Sequence, residues 1–164
     1  MPFEGSYLWR LRQKVGSRTV LHPGAMVFLQ RDDGDILFTR RVDNGLWCLP
    51  AGGAEEGSSF ADTAVTEVRE ETGVVIDPAD LTAFACLSEA ALHTITYPNG
   101  DVTHCFAMLF LARRWSGDPR PDNVETSEML WADPTIPPPP LEPPAVEAIR
   151  LLAAYRESGA FQVS

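Results

Sequence analysis

Three glutamates on one predicted helix are the residues of this chain best suited to chemistry. Glu67, Glu70 and Glu71 follow one another at positions i, i+3 and i+4, so on an α-helix their side chains lie within one narrow arc. Like charges one turn apart destabilise an exposed helix by roughly 0.2–0.5 kcal/mol per pair. Hard divalent cations such as Mg²⁺ and Mn²⁺ prefer oxygen ligands. The spacing therefore indicates either a divalent metal site or an acidic surface that faces solvent.

A glycine-rich turn precedes the predicted helix, and Gly73 ends it. Residues 46–53 form a short apolar segment interrupted by a proline and two glycines, which is typical of a strand that leads into a turn. Gly52 and Gly53 let the backbone approach a cation or a phosphate because no side chain stands in the way. Beside its acids the helix carries an apolar arc of Ala61, Ala64, Val65 and Val68. It can therefore bury one side and still present the glutamates.

The stretch from Gly52 to Val74 resembles the sequence box of the Nudix hydrolase family, G-x5-E-x7-R-E-U-x-E-E-x-G-U, in which U is a bulky aliphatic residue. The fit requires no gap. The first glycine, the E-U pair, the E-E pair and the final G-U fall on Gly52, Glu67 with Val68, Glu70 with Glu71, and Gly73 with Val74. A match of this length is far more specific than a lone glycine motif.

Two positions depart from the family pattern, because Ser58 replaces the box glutamate and Thr66 replaces the box arginine. In the family these two side chains commonly pair and brace the loop against the helix. Losing both together leaves no unpaired charge in the interior, but it bears on how firmly Glu67 is oriented. The departure is the main support for an alternative function, a catalytically impaired Nudix-fold protein that binds a nucleotide or regulates a partner.

The resemblance implies a metal-dependent pyrophosphohydrolase that uses Mg²⁺, with Mn²⁺ as the other suitable ion. Glu67 and Glu71 are the principal predicted metal ligands, Glu70 is assigned to a further ion, and the family pattern adds the backbone carbonyl of Ala51. Metal ions held in this way can clamp a diphosphate and lower the pKa of bound water. The predicted reaction is hydrolysis of the diphosphate linkage in a nucleoside diphosphate derivative of the NDP-sugar, ADP-ribose or NTP type.

The predicted catalytic carboxylates are Glu67, Glu70 and Glu125. Because the general base varies within the family, Glu67 and Glu125 are both candidates for that role. Glu125 precedes a predicted strand, as an acid does in many family members, and Glu128 is the reserve candidate. An acid before a strand is also common for reasons unrelated to catalysis.

Arg40 and Arg41 end a predicted strand shortly before the box and are the candidate phosphate-binding side chains. A guanidinium presents a planar fork of donors that matches phosphate oxygens, whereas the simpler interpretation is a solvated strand end. Gly52 and Gly53 complete the predicted substrate-binding set. The predicted partner is thus a small phosphorylated nucleotide.

Composition and charge limit the domain organisation, the partners and the location that the sequence predicts. A chain of 164 residues with 45% hydrophobic content predicts a single folded domain over residues 1–164. A net charge of −10 argues against a nucleic-acid partner, because such binding depends on contacts between basic side chains and phosphates. The sequence shows neither a basic and apolar leader nor an apolar run of about 20 residues, which predicts no membrane association. Cys48, Cys86 and Cys105 lack ligand spacing and are interpreted as reduced thiols, which favours a cytoplasmic location.

The order of predicted elements indicates an α+β fold, an α/β/α sandwich with a Nudix-like mixed β-sheet between helices. The pattern predicts an N-terminal helix at 5–16, a hairpin of strands 25–30 and 36–41, and a strand–turn–strand unit over 94–113. A proline-rich connector at 134–144 and a helix at 145–158 close the chain. Tyr7 and Trp9 must pack against the sheet or against a second subunit, and the latter arrangement gives a homodimer. His22 and His93 have no spacing for a shared metal ion, and His104 is interpreted as a structural, hydrogen-bonded residue.

Overall fold

The computed structural model describes residues 4–97 and 99–164, so Pro98 of the predicted turn lies outside the described residues. Within these ranges the chain forms three α-helices and nine strands. The helices are α1 Tyr7–Val15, α2 Phe60–Thr72 and α3 Pro143–Ser158. The strands are β1 Val20–Leu29, β2 Ile36–Arg41, β3 Trp47–Cys48, β4 Ala51–Gly53, β5 Leu81–Leu87, β6 Thr94–Thr96, β7 Val102–Ala112, β8 Thr126–Ala132 and β9 Gln162–Val163.

The strands form two sheets. The larger sheet has the order β4-β1-β7-β5-β9, with β6 also paired to β7, and the smaller has the order β3-β2-β8. In the larger sheet β1 and β7 run parallel, as do β5 and β9, whereas the other pairs are antiparallel. This mixture confirms the predicted α+β class with a mixed sheet.

Two apolar cores cover the larger sheet on opposite faces. Ala25, Val27 and Leu29 of β1 pack with the α2 side chains Ala64 and Val68. Because successive strand residues face opposite sides, the alternate β1 residues belong to the other core, in which Met26 and Phe28 pack with Ala148, Leu151 and Leu152 of α3. The sheet therefore lies between α2 and α3, which is the predicted α/β/α layering.

The predicted hairpin of strands 25–30 and 36–41 is wrong, because β1 and β2 enter different sheets. Only an isolated bridge joins Gln30 to Ile36 among the described residues. The parallel partner of β1 is β7, in a register that runs from Val20 opposite Thr103 to Leu29 opposite Ala112. The C-terminal half of β1 is buried at every position, and a strand covered on both faces is stable in a central place with neighbours on both sides.

The closing helix begins two residues earlier than predicted, at Pro143. Proline is accepted in the first helical turn because the backbone N–H groups there have no intrahelical acceptor. The proline-rich connector consequently ends at Glu142, the N-cap residue. None of the described helices is both long enough and apolar enough to cross a membrane.

Candidate functional site

Local interactions fix where α2 begins and ends. The Ser59 hydroxyl accepts a hydrogen bond from the Asp62 amide at 3.1 Å, and the Asp62 carboxylate accepts one from the Ser59 amide at 3.0 Å. Such a capping box satisfies two amides that the helix itself leaves without acceptors. At the other end Gly73 adopts a left-handed conformation with φ 73°, and its N–H donates to the Arg69 carbonyl. The predicted helix over the box is thus confirmed.

Glu67 lies directly over Gly52 of β4. A Cβ atom added to Gly52 would stand 2.0 Å from the Glu67 carboxyl carbon and 2.2 Å and 2.3 Å from its two oxygens. Any larger residue at position 52 would therefore displace the carboxylate, which gives a physical reason for glycine there. The structure brings together the predicted ligand Glu67 and the predicted glycine Gly52.

Glu71 is the buried acid of α2, with 8% of its surface exposed. Its Oε2 atom is buried and has no hydrogen-bond partner. Within the described part of the chain, none of the ion pairs includes Glu71. A buried carboxylate oxygen without a partner is costly, and it favours binding of an external cation or a proton.

Burial and mutual repulsion alter the acidity of both glutamates. Burial, followed by repulsion from Glu70, Glu125 and Glu55, raises the pKa of Glu67 to about 7. Burial also raises the pKa of Glu71 well above its usual range, with Glu67 and Glu125 adding to the rise. The Ala51 backbone and Arg41 lower the pKa of Glu71 but do not cancel the effect. Carboxyls perturbed in this way occur at functional sites because burial and like charges are concentrated there.

We call Glu67, Glu70, Glu71 and Glu125 the acid cluster. Glu70 and Glu125 are exposed, and Glu125 is close enough to raise the pKa of both buried acids. Its backbone is held in place, because the Glu125 amide donates to Asp122 and the Glu125 carbonyl accepts from the Val42 amide at 2.8 Å. The loop before β8 thus places a fourth carboxylate beside α2.

The two candidate arginines lie in different surroundings. Arg41 is near enough to Glu71 to lower its pKa, although its guanidinium also contacts Asp43 at 2.7 Å and Glu142 at 3.2 Å. Arg40 pairs with Glu128 at 2.9 Å, and its guanidinium lies 6.0 Å from the Trp47 ring centre. The reserve acid Glu128 therefore forms an ion pair with Arg40. Of the two arginines, only Arg41 lowers the pKa of a buried acid in the cluster.

The residues present fit a divalent cation chemically. Across residues 4–97 and 99–164, no three His, Cys, Asp or Glu side chains already stand in a metal-binding arrangement. The donors are nevertheless of the right type, since the unpartnered Glu71 oxygen and the Glu67 carboxylate lie beside the glycine-containing strand β4. A cation between the two acids would offset both the burial of their charges and their mutual repulsion, the two effects that raise their pKa values.

Sequence reasoning missed His22 and Tyr7 near this site. A Cβ atom on Gly53 would stand 2.1 Å from Cε1 of His22, and the His22 ring stacks on the Tyr7 ring with 6.2 Å between centres. The two glycines of β4 thus admit Glu67 on one side and His22 on the other. Consecutive glycines in a strand indicate close neighbours, but the sequence does not reveal which neighbours those are.

His104 is a structural residue, as interpreted from the sequence. Its Nε2 atom lies 2.7 Å from the Ser88 carbonyl oxygen, and its ring contacts Phe106.

Comparison with known proteins agrees with this architecture. The NUDIX domain family model matches residues 20–152. The chain is 30% identical over 112 residues to a putative 8-oxo-dGTP diphosphatase of Bacillus subtilis, covering 68% of this chain and 66% of that protein. It is 37% identical over 62 residues to an RNA pyrophosphohydrolase of Erythrobacter litoralis, covering 36% of this chain and 38% of that protein. The matches thus span less than two thirds of either relative.

The same fold is found in a solved structure. A crystal structure of an ADP-ribose pyrophosphatase from Streptococcus suis aligns with a TM-score of 0.64 and 24% identity, covering 87% of this chain and 97% of that one. At this level of identity the similarity establishes the fold.

Proposed function

Because this chain belongs to the Nudix family, we propose that it is a metal-dependent pyrophosphohydrolase that cleaves the diphosphate linkage of a nucleoside diphosphate derivative. The observation that carries the proposal is the pair Glu67 and Glu71. Both are acids of raised pKa beside β4, and the buried Glu71 oxygen has no partner in the protein. A pair of this kind is expected where a cation is to be bound rather than where a fold is to be stabilised.

Each residue of the site has a proposed task. Glu67 and Glu71, with the Ala51 carbonyl, would hold the principal Mg²⁺ or Mn²⁺ ion, and Glu70 a further one. Bound divalent ions supply charge neutralisation on the diphosphate and acidify water. Gly52 contributes by leaving space, since a side chain there would push the Glu67 carboxylate away.

The general base is one of two acids. Glu67 has a pKa of about 7, which suits proton acceptance near neutral pH. Glu125 is exposed and its amide donates to Asp122, so it can accept a proton at the solvent side of the cluster. If Glu67 is fully engaged as a ligand, Glu125 takes this role.

The proposed substrate is a small phosphorylated nucleotide. The names of the three relatives describe hydrolysis of a diphosphate in 8-oxo-dGTP, RNA and ADP-ribose, so the shared chemistry is the anhydride and not the organic group. The net charge of −10 favours a small substrate over a long polyanion. Arg41, beside Glu71, is the side chain best placed to contact a phosphate.

The proposal is tested by assaying a panel of NDP-sugars, ADP-ribose and nucleoside triphosphates with Mg²⁺ and with Mn²⁺. We expect product release from at least one compound, and a loss of at least about a hundredfold in Glu67→Gln and Glu71→Gln. The control is Glu157→Gln, an exposed change on α3, which should retain full activity. No turnover of any compound by the wild type would refute the proposal.

One observation favours a second function, a nucleotide-binding or regulatory protein with impaired catalysis. Ser58 and Thr66 stand where the family commonly has its loop-bracing pair, and Ser58 is exposed. Thermal stabilisation by a nucleotide without turnover under either ion would support binding alone. Stabilisation together with turnover would support the enzyme.

A further inference from the structure

Helix α1 precedes the segment that matches the family model, which begins at residue 20. It is nevertheless firmly attached, because the Arg12 guanidinium is buried and donates to the Val102 carbonyl at 2.6 Å and to Thr103 Oγ1 at 2.9 Å. Its Nε atom faces the Asp101 carboxylate at 3.7 Å. These bonds hold α1 against the start of β7. The helix therefore has a fixed position from which it contacts other parts of the molecule.

The N-terminal turn of α1 contacts the loop that connects β4 to α2, residues 54–59, which we call the box loop. The Tyr7 amide donates to Oε1 of Glu55 at 2.7 Å. The Arg10 guanidinium lies 3.3 Å from Glu55 Oε2 and 3.4 Å from Glu56 Oε2. A carboxylate at a helix N-terminus is favourable because the amides there lack acceptors and the helix dipole is positive.

A third contact runs through the aromatic ring of Tyr7. This ring stacks on His22, and His22 in turn fills the space beside Gly53. The box loop and the end of β4 are thus held by α1 from two directions, one polar and one aromatic.

The box loop lacks the brace that the family pattern would supply. Ser58 and Thr66 cannot form an ion pair, and among the described residues no ion pair joins residues 54–59 to α2. The Ser59–Asp62 capping box fixes only the junction of the loop with the helix. The only ion pairs that the described loop residues make are those with Arg10.

We propose that α1 replaces the missing box pair, with Arg10 and Tyr7 as positioning residues that hold the box loop through Glu55. The expected effect on kcat rests on the proposed function, whereas the expected effect on the box loop does not. By fixing the loop, α1 fixes β4 at Gly52 and Gly53, and therefore the place where Glu67 lies.

Two loop amides allow the proposal to be tested without metal or substrate. The Ala54 amide donates to the Pro23 carbonyl at 2.9 Å and the Ser58 amide to the Glu55 carbonyl at 3.0 Å. In the full-length chain, hydrogen exchange at these amides is compared among wild type, Arg10→Ala and Lys14→Ala. Lys14 is exposed on the same helix, so the control removes the same charge without touching the loop. We expect exchange about fivefold faster in Arg10→Ala alone, the size typical of an exposed ion-pair network.

The decisive variant adds Ser58→Glu and Thr66→Arg to Arg10→Ala and so restores the family brace. We expect this triple variant to recover slow exchange and wild-type kcat, whereas Arg10→Ala lowers kcat several-fold at an unchanged melting temperature. General destabilisation would not be rescued by a pair outside α1. Equal exchange in Arg10→Ala and Lys14→Ala, or no rescue by the restored pair, would overturn the proposal. A wild type that lacks turnover would refute the proposed function. The exchange rates would still decide whether α1 holds the box loop.

Discussion

Arg12 and Glu71 are buried to the same depth, with 7% and 8% of their surfaces exposed, but the protein surrounds them differently. The Arg12 guanidinium donates to Val102, Thr103 and two carbonyls of its own segment, and it faces Asp101. Glu71 keeps one buried oxygen without a partner and lies beside two further acids, Glu67 and Glu125.

The contrast distinguishes a buried charge that the protein neutralises from a buried acid that it does not neutralise. A buried ion stabilises a fold only when the protein supplies its counter-charges and hydrogen bonds. The two terminal nitrogens of Arg12 meet this condition with four hydrogen bonds. Its buried Nε atom makes no hydrogen bond but faces the Asp101 counter-charge at 3.7 Å, and the side chain fastens α1 to β7. Glu71 has no counter-charge in an ion pair among the described residues, and burial raises its pKa well above the usual range. Under the proposed function, a cation from solution would supply the missing counter-charge. This interpretation predicts opposite effects when the two charges are removed.

Removing the charge of Arg12 should have the largest effect on stability. Arg12→Met leaves Asp101 and several carbonyls without their buried donor, so we expect the free energy of unfolding to fall by about 3–5 kcal/mol. Urea unfolding of the metal-free protein measures this change. Lys14→Met, at an exposed site of the same helix, should change the value by no more than about 0.5 kcal/mol. Comparable losses in Arg12→Met and Lys14→Met would show that the buried contacts of Arg12 do not stabilise the fold, and its contrast with Glu71 would be lost.

Removing the charge of Glu71 should have the opposite sign. Glu71→Gln removes a buried acid whose ionisation is opposed by burial and by Glu67, so we expect unfolding of the metal-free protein at pH 8 to require about 1–3 kcal/mol more. The measurement is urea unfolding in the presence of a chelator. Glu157→Gln serves as the exposed control. A Glu71→Gln variant less stable than the wild type would show that the carboxylate supports the fold.

The stability gained in Glu71→Gln should depend on pH. A carboxyl whose pKa is raised by folding binds its proton more tightly in the folded state, so the wild type loses stability as pH rises. The loss begins near the unfolded glutamate pKa of about 4.3 and continues as pH rises toward the raised folded pKa of Glu71. The difference between Glu71→Gln and the wild type should therefore be near zero at pH 4 and should grow as pH rises to 8. A constant difference would mean that the Glu71 charge is not its source.

The smallest predicted effect distinguishes the two arginines. Both arginines form ion pairs, Arg41 with Asp43 and Glu142 and Arg40 with Glu128, but Arg41 also lowers the pKa of Glu71. Arg41→Ala should therefore raise KM for the substrate about fivefold, the size expected of a partly exposed ion pair. Arg40→Ala should leave KM unchanged. Steady-state kinetics with the best substrate of the panel measures both. Equal effects on KM would place both arginines, or neither, at the phosphates.

The local features of this molecule could be predicted from its sequence. Helix α2 follows from its apolar arc and its closing Gly73, and α1 from a serine N-cap and a glycine stop, because capping and periodicity act over a few residues. The cluster of Glu67 and Glu71 follows from their i, i+4 spacing. The predicted ends of α1 match the structure to within two residues, and α2 ends at Gly73 as predicted.

The long-range features could not be predicted. The partner of β1 is β7, about 80 residues further along the chain. The turn residues Asp32–Asp35 predicted a local hairpin instead, and the composition of a turn carries no information about distant strands. The contact of His22 with Gly53 and the contact of Glu55 with α1 could not be predicted either, because each depends on how separate elements pack. The sequence showed that the box pair was missing, but only the packing of α1 suggests what replaces it.

The most direct test of the central claim is a crystal of the wild type soaked in millimolar Mn²⁺ and measured for anomalous scattering. We predict an anomalous peak bounded by the Glu67 and Glu71 carboxylates and the Ala51 carbonyl, and no peak in Glu71→Gln under the same conditions. Well-ordered acids without a manganese peak in the wild type would contradict the claim that this cluster is maintained to bind a divalent cation.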